Sequence, residues 1–142
     1  MFVGTHSLNL DDKGRIILPV KFREALKDGA YVTKSVDGCL AIHPKEGFES
    51  FAAELKEKVR RKELERTALR AFMANAAEVT PDRQGRITIP PIQREYAGLD
   101  GPVVVTGFVE HIEVWNAVRW PEVESRGSTQ LAESGADLAE LL

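Results

Sequence analysis

An internal repeat constrains this chain more than any other feature. Residues 11–24 (DDKGRIILPVKFRE) align without gaps on residues 82–95 (DRQGRITIPPIQRE), with seven of fourteen positions identical. Average amino-acid usage gives roughly one match in such a window. The likeness resumes after a one-residue insertion: Asp28-Gly29 matches Asp100-Gly101, and residues 39–43 match residues 111–115. The unit is about 45 residues long and covers 1–45 and 73–117. One such unit is too small to bury a core comfortably. Two copies are expected to pair about an internal pseudo-two-fold axis and share one core.

Each copy reads as ββαββ, which makes the expected class α+β and mainly β. His6 to Leu10 alternates, with Leu8 and Leu10 on one face, as a strand does. Arg15 to Leu18 and Arg86 to Ile89 are rich in β-branched residues. Pro19 and Pro90 end these strands and open a short helix, where a first N–H has no partner to lose. Phe22, Ala25 and Leu26 form that helix's inner face. Ala30 to Thr33 and Val103 to Phe108 are strands, Asp37-Gly38 is a hairpin turn, and Leu40 to Ile42 and Ile112 to Val114 close the units. Between the copies, residues 45–75 have helical spacing through Phe48, Phe51, Leu55 and Val59, then Leu64, Ala68 and Phe72. A break is expected in the charged stretch Lys56 to Lys62. Asn116 suits the N-cap of a short helix through Trp120, limited or bent by Pro121. The expected organisation is a first repeat over 1–47, a helical insert over 48–75, a second repeat over 76–120, and an acidic, mobile tail over 121–142. A nascent helix is expected within the tail from Leu131 to Leu142.

Composition narrows the function. The net charge of −3 argues against bulk binding of a polyanion, but the charge is uneven. Residues 54–72 are net +3 and residues 120–142 net −4, so any nucleic-acid surface must be local. Cys39 is the single cysteine, which excludes an internal disulfide and a cysteine-cluster metal site. No apolar run approaches the ~18 residues of a membrane span. Residues 1–10 have no basic stretch of the secretory type, so the expected setting is the cytoplasm. His6, His43 and His111 are scattered and read as surface or turn residues. Cys39 reads as an inert strand cysteine, and Trp115 and Trp120 as core or interface anchors. Asp11 and Asp12 are adjacent and would face opposite ways in a strand, which disfavours a paired-carboxylate site. No phosphate-binding loop or nucleophile elbow is present. The chain is therefore expected to be no enzyme, with no catalytic residues, metal, cofactor or small-molecule substrate.

Two motifs carry chemistry: Asp11-x-x-x-Arg15 and Asp82-x-x-x-Arg86. A tight strand–turn–strand brings the ends of such a segment together. The carboxylate can then hold the guanidinium by a bidentate pair and aim its remaining N–H groups outward. That fork reads a guanine edge or grips a phosphate. Lys13 and Arg83 add positive charge beside it. A purely structural staple explains the same residues equally well. Arg23 and Arg94, on the short helices, suit phosphate contacts or ion pairs between the units. The basic run Lys56 to Lys62 is a solvated helix face or a further DNA contact.

The two motifs sit inside Asp-x-Lys-Gly-Arg-x-x-x-Pro (11–19) and Asp-x-x-Gly-Arg-x-x-Ile-Pro (82–90). With the opening Met1-Phe2-x-Gly4 and the segment Ile112-Glu113-Val114-Trp115, they make the sequence resemble the MraZ family over about residues 1–120. The resemblance implies an AbrB/MazE-like fold, a pseudo-two-fold swapped-hairpin barrel built from the two repeats. It implies a bacterial, nucleoid-associated transcriptional regulator that binds double-stranded DNA sequence-specifically, as ring-like homo-oligomers on short direct repeats. The implied target is the promoter of the division and cell-wall gene cluster that includes its own gene. The DNA-contacting arginines of the family fall on Arg15 and Arg86, oriented by Asp11 and Asp82. The second copy departs from the first: Gln84 replaces Lys13, Pro90-Pro91 replaces Pro19-Val20, and residues 76–119 are net −2 against +1 for residues 1–47. The first copy is expected to bind more strongly. The alternative is an antitoxin-like protein-interaction module on the same scaffold. It predicts a long disordered C-terminal arm with apolar anchors, for which Leu131, Leu138, Leu141 and Leu142 are the candidates.

Overall fold

Turn glycines and strand-ending prolines keep the elements short, and the sheet is assembled by exchange between the repeats. In the computed structural model, which describes residues 1–142, the first repeat contributes β1 (Thr5–Asn9), β2 (Arg15–Ile17), α1 (Val20–Ala25), β3 (Ala30–Lys34) and β4 (Leu40–Pro44). The insert is α2 (Lys45–Arg60) and α3 (Arg66–Ala74). The second repeat follows as β5 (Ala77–Val79), β6 (Arg86–Thr88), α4 (Pro91–Ala97), β7 (Pro102–Phe108) and β8 (His111–Asn116), and α5 (Trp120–Glu133) and α6 (Gly135–Leu141) end the chain. The ββαββ order is therefore present in both copies.

Six strands form one antiparallel sheet in the order β1-β7-β8-β4-β3-β5, and β2 and β6 form a separate ribbon. The first strand of each repeat thus pairs with the other repeat: β1 runs along β7 and β5 along β3. In the ribbon Ile16 faces Ile87, and in the sheet Ala41 faces Glu113. These are equivalent positions of the two copies, so the pseudo-two-fold axis passes through both pairs. The expected single core is present. Ile16, Leu18, Leu26, Val32 and Ile42 of the first repeat and Ile87, Ile89, Val103, Val105, Ile112 and Val114 of the second belong to one buried cluster. The expected swapped-hairpin barrel is not found: the first strands do cross to the other repeat, but the sheet is open, with β1 and β5 as its two edges.

Three local expectations need correction. Ala25 is exposed, and Phe22 and Leu26 alone carry the inner face of α1. In the insert the break falls at residues 61–65, just beyond the end of α2, and Leu69 rather than Ala68 turns inward on α3. The charged run Lys56 to Lys62 is tied up by its own glutamates through Arg60–Glu57, Arg61–Glu63 and Lys58–Glu63 pairs, which lets α2 continue to Arg60. The third correction concerns residues 121–142. The helix expected from Asn116 through Trp120 begins only at Trp120; Asn116 instead accepts from the N–H groups of Val118 and Arg119 at 2.8 and 3.0 Å and holds the turn before it. Pro121 then falls in the first turn of α5, where no N–H is missed, and the helix continues to Glu133. Helix therefore occupies far more of the tail than the expected segment from Leu131 to Leu142, in α5 and again in α6, with side chains mostly exposed. No helix is long and apolar enough to cross a membrane.

Candidate nucleic-acid interface

The two Asp-x-x-x-Arg segments form the turns that lead into β2 and β6. In the first, Asp11 Oδ1 accepts from the backbone N–H groups of Lys13 (2.9 Å) and Arg15 (2.8 Å), and Asp11 Oδ2 accepts from Arg15 Nε (2.7 Å). In the second, Asp82 Oδ1 accepts from Gln84 N (2.9 Å) and Arg86 N (2.9 Å), and Asp82 Oδ2 from Arg86 Nε (2.6 Å). Gly14 and Gly85 both have φ of +78°, a left-handed conformation that glycine adopts without penalty. The expected bidentate fork is not formed. One carboxylate oxygen is taken by two backbone amides, so the guanidinium is held side-on through Nε alone. Both terminal nitrogens of each arginine are left without a hydrogen bond in the chain. The backbone N–H of Arg15, ahead of its guanidinium, holds the Asp11 carboxyl below its ordinary value, and Arg86 acts likewise on Asp82. Both carboxylates are therefore ionised at neutral pH.

The turns are braced across the repeats. Ile89 N donates to the Gly14 carbonyl at 2.8 Å, and Leu18 N to the Gly85 carbonyl at 3.4 Å. Arg23, from the first repeat, lies over Gly85 of the second and donates from Nη1 to Gln84 O at 3.2 Å. Arg94 lies over Gly14 in return, its Nε buried without a partner. The structure thus places Arg23 and Arg94 against the opposite turns, in neither case as an ion pair. Lys13 and Arg83 are exposed at the turn tips and make no side-chain hydrogen bond.

On the ribbon, Ile16 and Ile87 point into the core, so Arg15, Ile17, Arg86 and Thr88 share the outer face. Arg15 stands opposite Thr88, and Ile17 opposite Arg86. The two arginines are diagonal neighbours, about 7–8 Å apart at the backbone. A shallow hollow of about 390 Å³ lies over this face, lined by both arginines, Asp11, Ile17, Gln84 and the end of β1. A larger groove of about 1050 Å³ runs between the Ser35–Gly38 turn and α5, and no ribbon residue lines it.

Both halves of the chain match one family model, described as "MraZ protein, putative antitoxin-like", over residues 1–71 and 72–140. The chain belongs to the MraZ family. Among its relatives, proteins named transcriptional regulator MraZ include one from Mycolicibacterium gilvum, 47% identical over 125 residues that make up 87% of each chain. Another, from Salinispora arenicola, is 41% identical over 141 residues, 99% of this chain and 94% of its own. A third, from Cutibacterium acnes, is 46% identical over 121 residues, 84% of each chain. Each of the two MraZ matches contains one Asp-x-x-x-Arg turn, and the second runs through α5 almost to the end of α6.

Other residues singled out in this MraZ-family sequence fall away from the ribbon. Cys39 is buried and its thiol is pushed up to about 12 by that burial, so it is unreactive. Trp115 packs with Cys39 and Val104, and Trp120 rests on that cluster, both as anchors of α5. The histidines hold a surprise for a sequence reader. His43 on β4 and His111 on β8 are neighbours across the central strand pair, with ring centroids 5.0 Å apart, and both are half-buried. Sixty-seven residues intervene in the sequence, and only the β4–β8 pairing brings the two together. No group of three or more His, Cys, Asp or Glu stands in a metal-holding arrangement.

Proposed function

We propose that this chain is a sequence-specific DNA-binding transcriptional regulator whose reading head is the β2–β6 ribbon. The observation that carries the reading is the pair of side-on arginines. Arg15 and Arg86 lie on one ribbon face, each fixed through Nε and each with two unpaired terminal nitrogens. An arginine held this way has lost most of its rotamer freedom before it meets a ligand, which lowers the cost of binding. A two-stranded ribbon fits the major groove, where arginine pairs with guanine O6 and N7. The names of the relatives support regulation of transcription. In this reading Lys13 and Arg83 approach phosphates. Arg23 and Arg94 stiffen the turns and add positive charge behind them. Residues 1–47 and 76–120 are the two reading repeats, 48–75 is a helical insert, and 121–142 is an acidic appendage.

A single chain with net charge −3 and two forks makes few contacts with a backbone whose affinity scales with phosphates neutralised. We therefore read the working form as a homo-oligomer, ring-like as the family resemblance implies, that grips short direct repeats with neighbouring subunits. Linked contacts of this kind raise affinity by ~10²–10⁴ over one subunit. The implied target is the promoter of the division and cell-wall cluster that contains its own gene, and the implied location is the nucleoid. The test is a gel shift on DNA from upstream of its own gene with a scrambled competitor. Duplexes with one, two or three repeats are then titrated against protein sized by light scattering. Wild type should bind specifically, gain steeply from one repeat to two, and lose binding in the Arg15→Ala variant at unchanged thermal stability. A monomer that binds one repeat as tightly as three would overturn the oligomeric reading. An antitoxin-like module would instead bind a protein partner with the Arg15→Ala variant unimpaired.

A further inference from the structure

The outer ribbon face is a two-by-two array whose symmetry is broken at one pair of corners. The pseudo-two-fold axis through Ile16 and Ile87 exchanges Arg15 with Arg86, and their turns have the same geometry. The same axis exchanges Ile17 with Thr88, which are chemically different. Both are exposed, Ile17 to 55%, and neither is needed by the core. Each stands directly opposite the arginine of the other repeat: Ile17 faces Arg86, and Thr88 faces Arg15. Ile17 and both arginines line the same hollow.

From this arrangement, and resting on the DNA-binding reading above, we infer that Ile17 and Thr88 are specificity-determining residues. Ile17 reads a thymine beside the base contacted by Arg86, and Thr88 reads a different base beside that contacted by Arg15. The chemistry is that of the major groove. An aliphatic side chain packs on the 5-methyl group, which only thymine carries, whereas a threonine hydroxyl donates to or accepts from a base edge. Directly opposite strand positions lie about 4.5–5.5 Å apart, so each corner reaches a base next to the one its arginine contacts. Two matched pairs of corners would read an inverted repeat and would fit it equally well either way round. The Ile17–Thr88 difference makes the two orientations unequal. Subunits on tandem sites would then all point in one direction, which a direct repeat requires.

The experiment selects duplexes from a pool with a randomised core, using wild type, Ile17→Thr, Thr88→Ile and an Arg15→Ala/Arg86→Ala control. Ile17→Thr and Thr88→Ile exchange one β-branched residue for another at exposed strand positions, so thermal melts should match wild type. Wild type should enrich a near-inverted repeat with one unequal position that holds thymine. Thr88→Ile should enrich thymine at both equivalent positions, and Ile17→Thr at neither. Replacing the thymine by deoxyuridine in the selected duplex should weaken wild type about fourfold, the weight of one buried methyl group. The same replacement should leave Ile17→Asn, which has no methyl group to pack there, unaffected. Identical enriched sites for wild type and both exchanges, with no effect of deoxyuridine, would overturn the assignment while leaving DNA binding intact. A wild type that enriches nothing beyond the double-arginine control would overturn the DNA-binding reading, and this assignment with it.

Discussion

The Asp-x-x-x-Arg turns and the closing hairpins are both present twice, but only the turns are built alike. Bond for bond, the two turns agree to within 0.1 Å, and their glycines share one φ. They do so although Lys13 is replaced by Gln84, because the carboxylate grips the backbone amide of that residue and is indifferent to its side chain. The hairpins diverge. The first turns at Gly38, φ +83°, beneath Arg119, whereas the second turns at Val109, φ +60°, which bridges to Phe2. A β-branched residue is strained in that region. Geometry held by backbone and carboxylate thus survives a change of neighbours, and geometry set by what packs above does not.

The comparison can be broken or sharpened in four ways. The largest effect should come from the arginines. Arg15→Ala is expected to weaken specific DNA binding roughly 5- to 150-fold. Arg86→Ala should cost less, since its repeat carries net negative charge and lacks the lysine. Gel shifts under matched salt measure both, and a larger loss for Arg86→Ala would reverse the ranking of the repeats.

The second prediction concerns His43, which the first repeat places under α2 and to which Trp115 is equivalent in the second. Burial first, then the neighbouring His111, lowers its pKa from 6.5 to about 4. The unfolded chain therefore binds the proton first, and stability is lost as pH falls from about 6.5 towards 4, then levels off. The loss should reach about 2 kcal/mol at pH 4.5 for a partly exposed ring. Urea midpoints at pH 7 and pH 4.5 read it, and His43→Phe, which keeps the stack on Phe51, should flatten the difference.

Third, Gly14→Ala and Gly85→Ala should each cost roughly 1–2 kcal/mol of unfolding free energy, the penalty of a left-handed non-glycine residue. An added Cβ must also displace Arg94 at Gly14 and, from closer, Arg23 at Gly85, so Gly85→Ala should cost the more, and chemical denaturation tests that. The smallest effect should be that of Asp11→Asn and Asp82→Asn. Each variant keeps the arginine but aims it less well, so binding should fall a few-fold, less than for Arg15→Ala. Tighter binding in either variant would show that the carboxylate chiefly repels phosphate. In wild type the stabilising effect of these lowered carboxylates is present above their ordinary value of 3.8 and is lost as pH falls through the lower folded values. That window lies below the one set by His43.

Much of this architecture is legible in the sequence. The repeat fixes the order of elements in both halves, and Pro19 and Pro90 mark where β2 and β6 hand over to α1 and α4. Asp11 and Asp82 announce a contact with the arginine four residues on, but not that one carboxylate oxygen goes to two backbone amides and leaves the guanidinium a single bond through Nε. What escaped is whatever depends on reach between distant segments. Arg23 and Arg94 look like free cations on short helices until the ribbon brings the opposite turns beneath them. His43 and His111 become a pair only when β4 and β8 align. The length of α5 was underestimated because Pro121 and the Gly- and Ser-rich stretch after it weigh against helix locally, whereas Trp120 and Val123 pack on the Trp115 cluster.

The cross-repeat pairing has a consequence for how this protein comes into being. Thr5 must find Thr106, and the ribbon cannot close until Thr88 has left the ribosome. At ~5–20 residues per second, roughly 4–15 s separate the emergence of Arg15 from that of its partner strand. During that interval Ile16 and Leu18, fully buried in the finished fold, lack the second half of their core. Contacts so distant in sequence make folding slow and late, a property of topology rather than of stability. A chain terminated before Thr88 carries Arg15 but lacks the strand that completes the ribbon.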